Sequence, residues 1–92
     1  MAEAQAETVA LTVLGWLVGH EELLPVFLGA TGGTLDDMRA RAADPDFLIS
    51  VLDFVLMDDD WVREAAAAQG RPPEDLLRAR HGLPGGAPVH WT

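Results

Sequence analysis

The segment from Pro45 to Met57 constrains the fold most, because it is apolar on almost every side. Nine residues between Phe47 and Met57 are apolar, and only Ser50 and Asp53 interrupt them. The segment is too long for a typical strand between a proline and a run of aspartates, so it predicts a helix. A helix that is apolar nearly all round is a buried one. We therefore expect this helix at the centre of the domain.

Glycines, prolines and capping residues divide the rest of the chain into short helices. Apolar residues at helical spacing and early glutamates predict a first helix over residues 3–18. Its apolar arc is too wide for an ordinary surface helix, so it either lies centrally or faces a partner. Capping residues at the starts and glycines or prolines at the ends predict further helices at residues 21–28, 35–43, 61–69 and 76–81. The predicted caps include Thr34, Asp44 before Pro45, and the aspartates at 58–60. We expect Gly19 and Gly82 to end their helices in the left-handed conformation.

Together these elements predict an all-α fold. It is a small orthogonal bundle of five to six short helices with an extended C-terminal tail. We expect a single domain over residues 1–92, with the helices in residues 1–83 and the tail in residues 84–92, because 92 residues leave no room for a second domain. A hydrophobic fraction of 49% is sufficient for a core.

Composition argues against several classes of function. The 15 acidic residues against 6 basic ones oppose direct binding to nucleic acid, whose phosphates are neutralised by Lys and Arg. The chain contains no Cys and no Lys, which removes disulfides, thiolate nucleophiles and Schiff bases. Its longest uncharged stretches, residues 8–20 and 23–35, are shorter than the roughly 20 residues of a membrane helix. The start is acidic where a secretory signal is basic, so we expect a cytoplasmic protein with no membrane contact.

Acidic residues are the main candidates for chemistry. Asp53 and the aspartates at 58–60 could hold a hard cation such as Mg²⁺ or Ca²⁺. The spacing of an EF-hand loop is absent, however, and helix capping explains the run. The three histidines lie too far apart in sequence to indicate zinc. We therefore expect no catalytic residue, no metal ligand and no cofactor, and we interpret the chain as a non-enzymatic protein–protein interaction or regulatory module.

Two alternatives to this interpretation stay open. One is a small metal-dependent enzyme that uses Asp53 and the aspartates at 58–60. The other is an acidic mimic of nucleic acid that binds a basic partner through a continuous face of carboxylates. That face would contain Asp36, Asp37, Asp44, Asp46, Asp58, Asp59 and Asp60.

Three residues are candidates for an interaction site. Phe27 and Leu28 precede a glycine-rich turn, and with it they could form a surface pocket for a peptide or a helix. Trp91 lies near the end of the sequence, and we expect it to dock on the helical body, the alternative being that it binds a partner. Trp16 and Trp61 are expected in the core.

Several segments carry a resemblance to a known family. They read AETVAL at residues 6–11, EELLPVFLGATG at 21–32, VLDFVLMDD at 51–59, LPGG at 83–86 and HWT at 90–92. In these segments the chain resembles an uncharacterised alphaproteobacterial family, domain of unknown function 3572, over nearly its whole length. The resemblance implies no reaction, cofactor or site residue. Genes of such proteins often lie near response-regulator genes, so the resemblance implies a signalling protein as a partner. Apart from the resemblance, a second copy of the chain is another candidate partner.

Overall fold

The computed structural model describes residues 1–86, which form six α-helices and no strand. The helices are α1 (Glu3–Val18), α2 (Leu23–Thr31), α3 (Leu35–Arg41), α4 (Pro45–Val55), α5 (Asp59–Ala68) and α6 (Glu74–Gly82). α1 packs against α2, α4, α5 and α6, and α6 also contacts α4 and α5. The predicted small all-α bundle is confirmed, while residues 87–92 of the expected tail lie outside the described residues.

Three helices begin at the capping residues that the sequence predicts. The Thr34 hydroxyl accepts a hydrogen bond from the Asp37 backbone N–H at 3.2 Å, and the Asp37 carboxylate accepts one from the Thr34 N–H at 3.0 Å. Carboxylates of Asp44 and Asp58 likewise accept hydrogen bonds from the first backbone N–H groups of α4 and α5. Each cap satisfies donors that the first turn of a helix leaves without a partner, so these helices start where the chain supplies an acceptor.

The second helix differs from its predicted bounds of residues 21–28. It begins at Leu23, because the acceptor that satisfies its first turn is an imidazole: the Leu23 N–H donates to His20 Nδ1 at 3.2 Å. It continues past Gly29, because a left-handed residue first occurs at Gly32, with a φ of 71°. Glycine adopts this conformation without the steric penalty of a side chain, so Gly32 ends the helix.

The expected left-handed conformations of Gly19 and Gly82 are wrong. Gly19 has a φ of −81°, and Gly82 lies inside α6, whose C-cap is Leu83. A Cβ at Gly82 would lie 3.0 Å from the Ala6 Cβ and 3.1 Å from the Met1 carbonyl oxygen. Gly82 is therefore a contact point between the end of α6 and the start of α1, and a larger residue would push the two helices apart.

The core lies between α1 and its neighbours, with α4 as its main apolar contributor. The buried residues of α4 are Phe47, Leu48, Val51, Leu52, Phe54 and Val55. α4 packs against α1 and α6, and its Phe54 ring also meets Phe27 of α2 and Trp61 of α5, so α4 lies at the centre together with α1. α4 also ends before its predicted limit: Asp58 adopts the extended conformation that caps α5, so Met57 falls in the turn between the helices and is 77% exposed.

Across residues 1–86, no single helix combines the length and the apolar composition needed to cross a bilayer. α1 and α2 together are long and apolar enough, but they are bent by 109° relative to each other.

Candidate interaction surface

α2 has a buried side that belongs to the core. Phe27 is 1% exposed, and its ring meets those of Phe47 and Phe54 edge to face, with ring centroids 6.1 Å and 5.2 Å away. Leu23, four residues before Phe27 and hence on the same side of the helix, is also buried. The Phe27 ring is therefore enclosed by apolar neighbours and has no surface to offer a partner in this structure.

A second side of α2, adjacent to the buried one, is exposed and carries no charge. We call it the α2 outer face and define it by four exposed residues that are neighbours on the helix surface at spacings of three and four: Pro25, Val26, Gly29 and Ala30. Val26 is 52% exposed, and a Cβ added to Gly29 would meet nothing within 4 Å. The α2 outer face thus presents one projecting aliphatic side chain beside a low surface formed by a glycine and an alanine.

Two carboxylates stand beside the α2 outer face. Glu21 and Glu22 are exposed in the turn between α1 and α2. Glu22 lies three residues before Pro25 and four before Val26, so it extends the α2 outer face at the N-terminal end of the helix. With Gly19 and His20, the two glutamates line an open depression of about 420 Å³. The start of α2 therefore combines an apolar surface with a local excess of negative charge.

His20 holds the turn that positions these carboxylates. Its Nδ1 accepts the hydrogen bond from Leu23, so this nitrogen carries no proton, and its Nε2 lies 3.8 Å from Glu64 Oε2 on α5. The ring packs edge-on against Trp16 of α1 at a centroid distance of 5.1 Å. His20 therefore contacts α1 and the first turn of α2, and it lies near Glu64 of α5.

Charge is unevenly distributed along the chain. Between Thr8 and Leu35, Glu21 and Glu22 are the only charged side chains when His20 is neutral. All six arginines come later in the sequence, the first at position 39. The α1–α2 pair therefore supplies the least charged part of the protein, and the charges within it are negative.

Two other exposed apolar side chains, those of Met57 and Leu77, have charged neighbours. Met57 is 77% exposed and is followed directly by the aspartates at 58–60. Leu77 is 47% exposed and is followed by the exposed Arg78. Single apolar residues among charged ones are ordinary at a protein surface, so neither position defines a binding face as the four-residue α2 outer face does.

The aspartates proposed as cation ligands have other partners. Asp58 caps α5 by accepting hydrogen bonds from the backbone N–H groups of Asp60 and Trp61 at 2.8 Å and 3.3 Å, and the Asp60 carboxylate pairs with Arg63. In the part of the chain that the structure describes, no three His, Asp or Glu side chains are grouped so that they could hold a metal ion. Capping accounts for Asp58, and ion pairing accounts for Asp60.

Asp53 of α4 pairs with Arg80 of α6, and Arg80 also contacts the turn that follows α6. Arg80 Nε donates to Asp53 Oδ1 at 2.8 Å, and Arg80 Nη1 donates to the Gly86 carbonyl oxygen at 2.9 Å. The turn closes through a 2.8 Å hydrogen bond from the Gly86 N–H to the Leu83 carbonyl oxygen, with Gly85 at a φ of 83°. A Cβ at Gly86 would overlap the Arg80 carbonyl oxygen. These contacts give the LPGG segment and Asp53 a structural role.

The residues predicted for an interaction site occupy different environments. Phe27 lies in the core, Leu28 is half-buried against the core, and Trp91 lies outside the described residues, so its docking stays a prediction. Trp16 and Trp61, expected in the core, are half-buried and pack against it. Of the two α2 residues predicted for the site, Phe27 is therefore inaccessible to a partner, and Leu28 is partly accessible.

Val26 is the exposed residue that sequence reasoning missed. Leu23 and Phe27 are four residues apart and define the buried side of α2, and Val26 is turned about 100° from Phe27 around the helix axis. The absence of any polar residue from Leu23 to Ala30 removes the contrast that normally separates the two sides in a sequence.

Comparison with protein-family models gives a match over residues 3–86, to the family described as "Protein of unknown function (DUF3572)". The match confirms the resemblance to that domain of unknown function. No curated protein and no solved structure matches the chain.

Proposed function

We propose, given that the chain belongs to the DUF3572 family of proteins of unknown function, that it is a non-enzymatic protein–protein interaction module. The α2 outer face is its binding surface. The single observation that carries this proposal is the exposure of Val26, at 52%, within a face that has no charged side chain between Pro25 and Ala30. An apolar face that remains exposed after folding is typical of a surface that a partner covers.

The arrangement of the helices supports a rigid surface. Phe27 anchors α2 in the core through two aromatic contacts, and the His20 imidazole fixes its first turn. The α2 outer face is therefore presented in one orientation before a partner arrives, which reduces the entropy cost of binding.

A metal-dependent enzyme receives less support from the geometry. Asp53 is engaged with Arg80, and Asp58 is engaged with the backbone of α5. An active site requires several polar groups that converge in a concave pocket. The depression beside α2 instead opens to solvent. It is lined by the turn residues Gly19 and His20 and by two exposed glutamates.

A photo-crosslinking experiment tests the proposed function. p-Benzoylphenylalanine is introduced in place of Val26 in one protein and in place of Met57 in a matched control, and both are expressed in the organism that carries the gene. Both positions are exposed, so both labels are free to react. We expect a discrete crosslinked protein from position 26 and none from position 57. Equal crosslinking from both positions, or none from position 26, would contradict the proposal.

A further inference from the structure

The shape of the α2 outer face favours an elongated partner. α2 has nine residues, which corresponds to a length of about 14 Å, or two and a half helical turns. Gly29 and Ala30 keep the surface low beside Val26, and the space around Gly29 is open. A second helix can approach such a surface closely, because one of its side chains fills the space over the glycine while Val26 packs between its own side chains.

The charges around the α2 outer face define the chemistry of that partner. Glu22 continues the face at its N-terminal end, and Glu21 is exposed next to it. No arginine occurs in sequence before Arg39, and the chain has a formal net charge of −9. A partner with an apolar stripe and flanking Lys or Arg residues would match both the apolar surface and the carboxylates beside it.

We propose that the α2 outer face binds a basic amphipathic helix of a partner protein, an inference that rests on the proposed function. Two other occupants fit the charges less well. A second copy of the chain would bring together two molecules with a net charge of −9 each, which repel each other. An anionic membrane surface attracts polybasic segments, and residues 1–38 contain no Lys or Arg.

The test uses a synthetic probe: a fluorescently labelled 18-residue peptide of Leu and Lys, arranged as an amphipathic helix. Its binding is measured by fluorescence anisotropy at several salt concentrations. Val26→Asp adds a negative charge while it removes the apolar anchor, so binding through the α2 outer face should weaken by about tenfold or more. Met57→Asp adds the same charge at another exposed apolar position and should leave the affinity unchanged or slightly higher.

Paired charge variants test the role of the carboxylates. Glu21→Gln with Glu22→Gln should weaken binding and flatten its dependence on salt. Asp36→Asn with Glu74→Gln removes two exposed carboxylates from other helices and should change the affinity less. Unchanged melting temperatures would show that each variant is folded.

Each remaining outcome overturns the inference. If Val26→Asp binds the peptide as tightly as the unchanged protein, the contact is non-specific attraction between opposite charges. If the unchanged protein binds phosphatidylglycerol vesicles and Val26→Asp does not, the face binds a membrane. If the unchanged protein forms a concentration-dependent dimer in sedimentation and Val26→Asp does not, the face binds a second copy. If crosslinking at position 26 captures a protein while the peptide does not depend on Val26, the proposed function stands and the basic helix is wrong.

Discussion

Replacing Phe27 with alanine measures how strongly α2 is anchored. The side chain is 1% exposed and packs against two other aromatic rings. Truncation of a buried Phe to Ala removes the burial of the ring and leaves a cavity, at a cost of about 3–5 kcal/mol. Domains of this size have a free energy of unfolding of about 5–14 kcal/mol. Phe27→Ala should therefore remove about a fifth or more of the total stability and lower the melting temperature by at least about 12 °C.

The matched control is Val26→Ala on the neighbouring position. Val26 is half exposed and is turned about 100° from Phe27 around the helix axis, and alanine has the higher helix propensity. We expect its free energy of unfolding to change by no more than about 0.5 kcal/mol. Both variants are compared by urea unfolding monitored with far-UV circular dichroism.

A second variant keeps the test informative if Phe27→Ala does not fold. Phe27→Leu fills most of the volume and should lose roughly 1–2 kcal/mol, because the two aromatic contacts are lost and packing is imperfect. If both Phe27 variants were as stable as the unchanged protein, or if Val26→Ala were the more damaging change, the assignment of the two sides of α2 would be refuted.

The remaining predictions concern turns, ion pairing and metal. Gly29→Ala should raise the free energy of unfolding by about 0.5–1 kcal/mol, since the position is helical and open. Gly32→Ala should lower the free energy of unfolding by about 1 kcal/mol or more, because the residue has a positive φ. Urea unfolding measures both changes. A double-mutant cycle with Asp53→Ala and Arg80→Ala should give a coupling of about 0.5–1 kcal/mol, as both groups are partly exposed, and zero coupling would contradict the pairing. Asp58→Ala should cost about 1 kcal/mol through loss of the cap of α5. A chelator should leave the melting temperature unchanged, and a decrease that Mg²⁺ or Ca²⁺ reverses would show a metal site.

The starts of helices were the most predictable part of the fold. Thr34, Asp44 and Asp58 each accept hydrogen bonds from backbone N–H groups of the first turn that follows. This interaction is local in sequence, so the identity of a few adjacent residues determines it. The start of α2 was less predictable, because its acceptor is a histidine ring whose position also depends on contacts with Trp16 and Glu64.

Helix ends and helix neighbours depended on contacts that are distant in sequence. Gly82 has the expected residue type for a left-handed helix end, yet it packs against Ala6 and Met1. The Arg80 side chain reaches Asp53, 27 residues away. The central position of α1 follows from which helices surround it, and the width of an apolar arc does not specify those neighbours.

The candidate surface was predictable only to the level of its helix. From Leu23 to Ala30 every residue is apolar, so both sides of α2 have the same character in the sequence. Phe27 is the residue that packs in the core, because its ring contacts those of Phe47 and Phe54. Val26 is exposed because burial of Phe27 fixes the rotation of the helix about its axis.

Thiol labelling at position 26 tests most directly whether the α2 outer face is the binding surface. The chain has no cysteine, so Val26→Cys and the control Met57→Cys each carry a single thiol. The rate at which each thiol reacts with a water-soluble reagent is measured in the free protein and in the complex with the basic peptide or with the partner identified by crosslinking. The account predicts that both thiols react rapidly in the free protein and that only Val26→Cys becomes protected in the complex. Protection of Val26→Cys in the free monomer, or equally rapid labelling of it in the complex, would contradict the account.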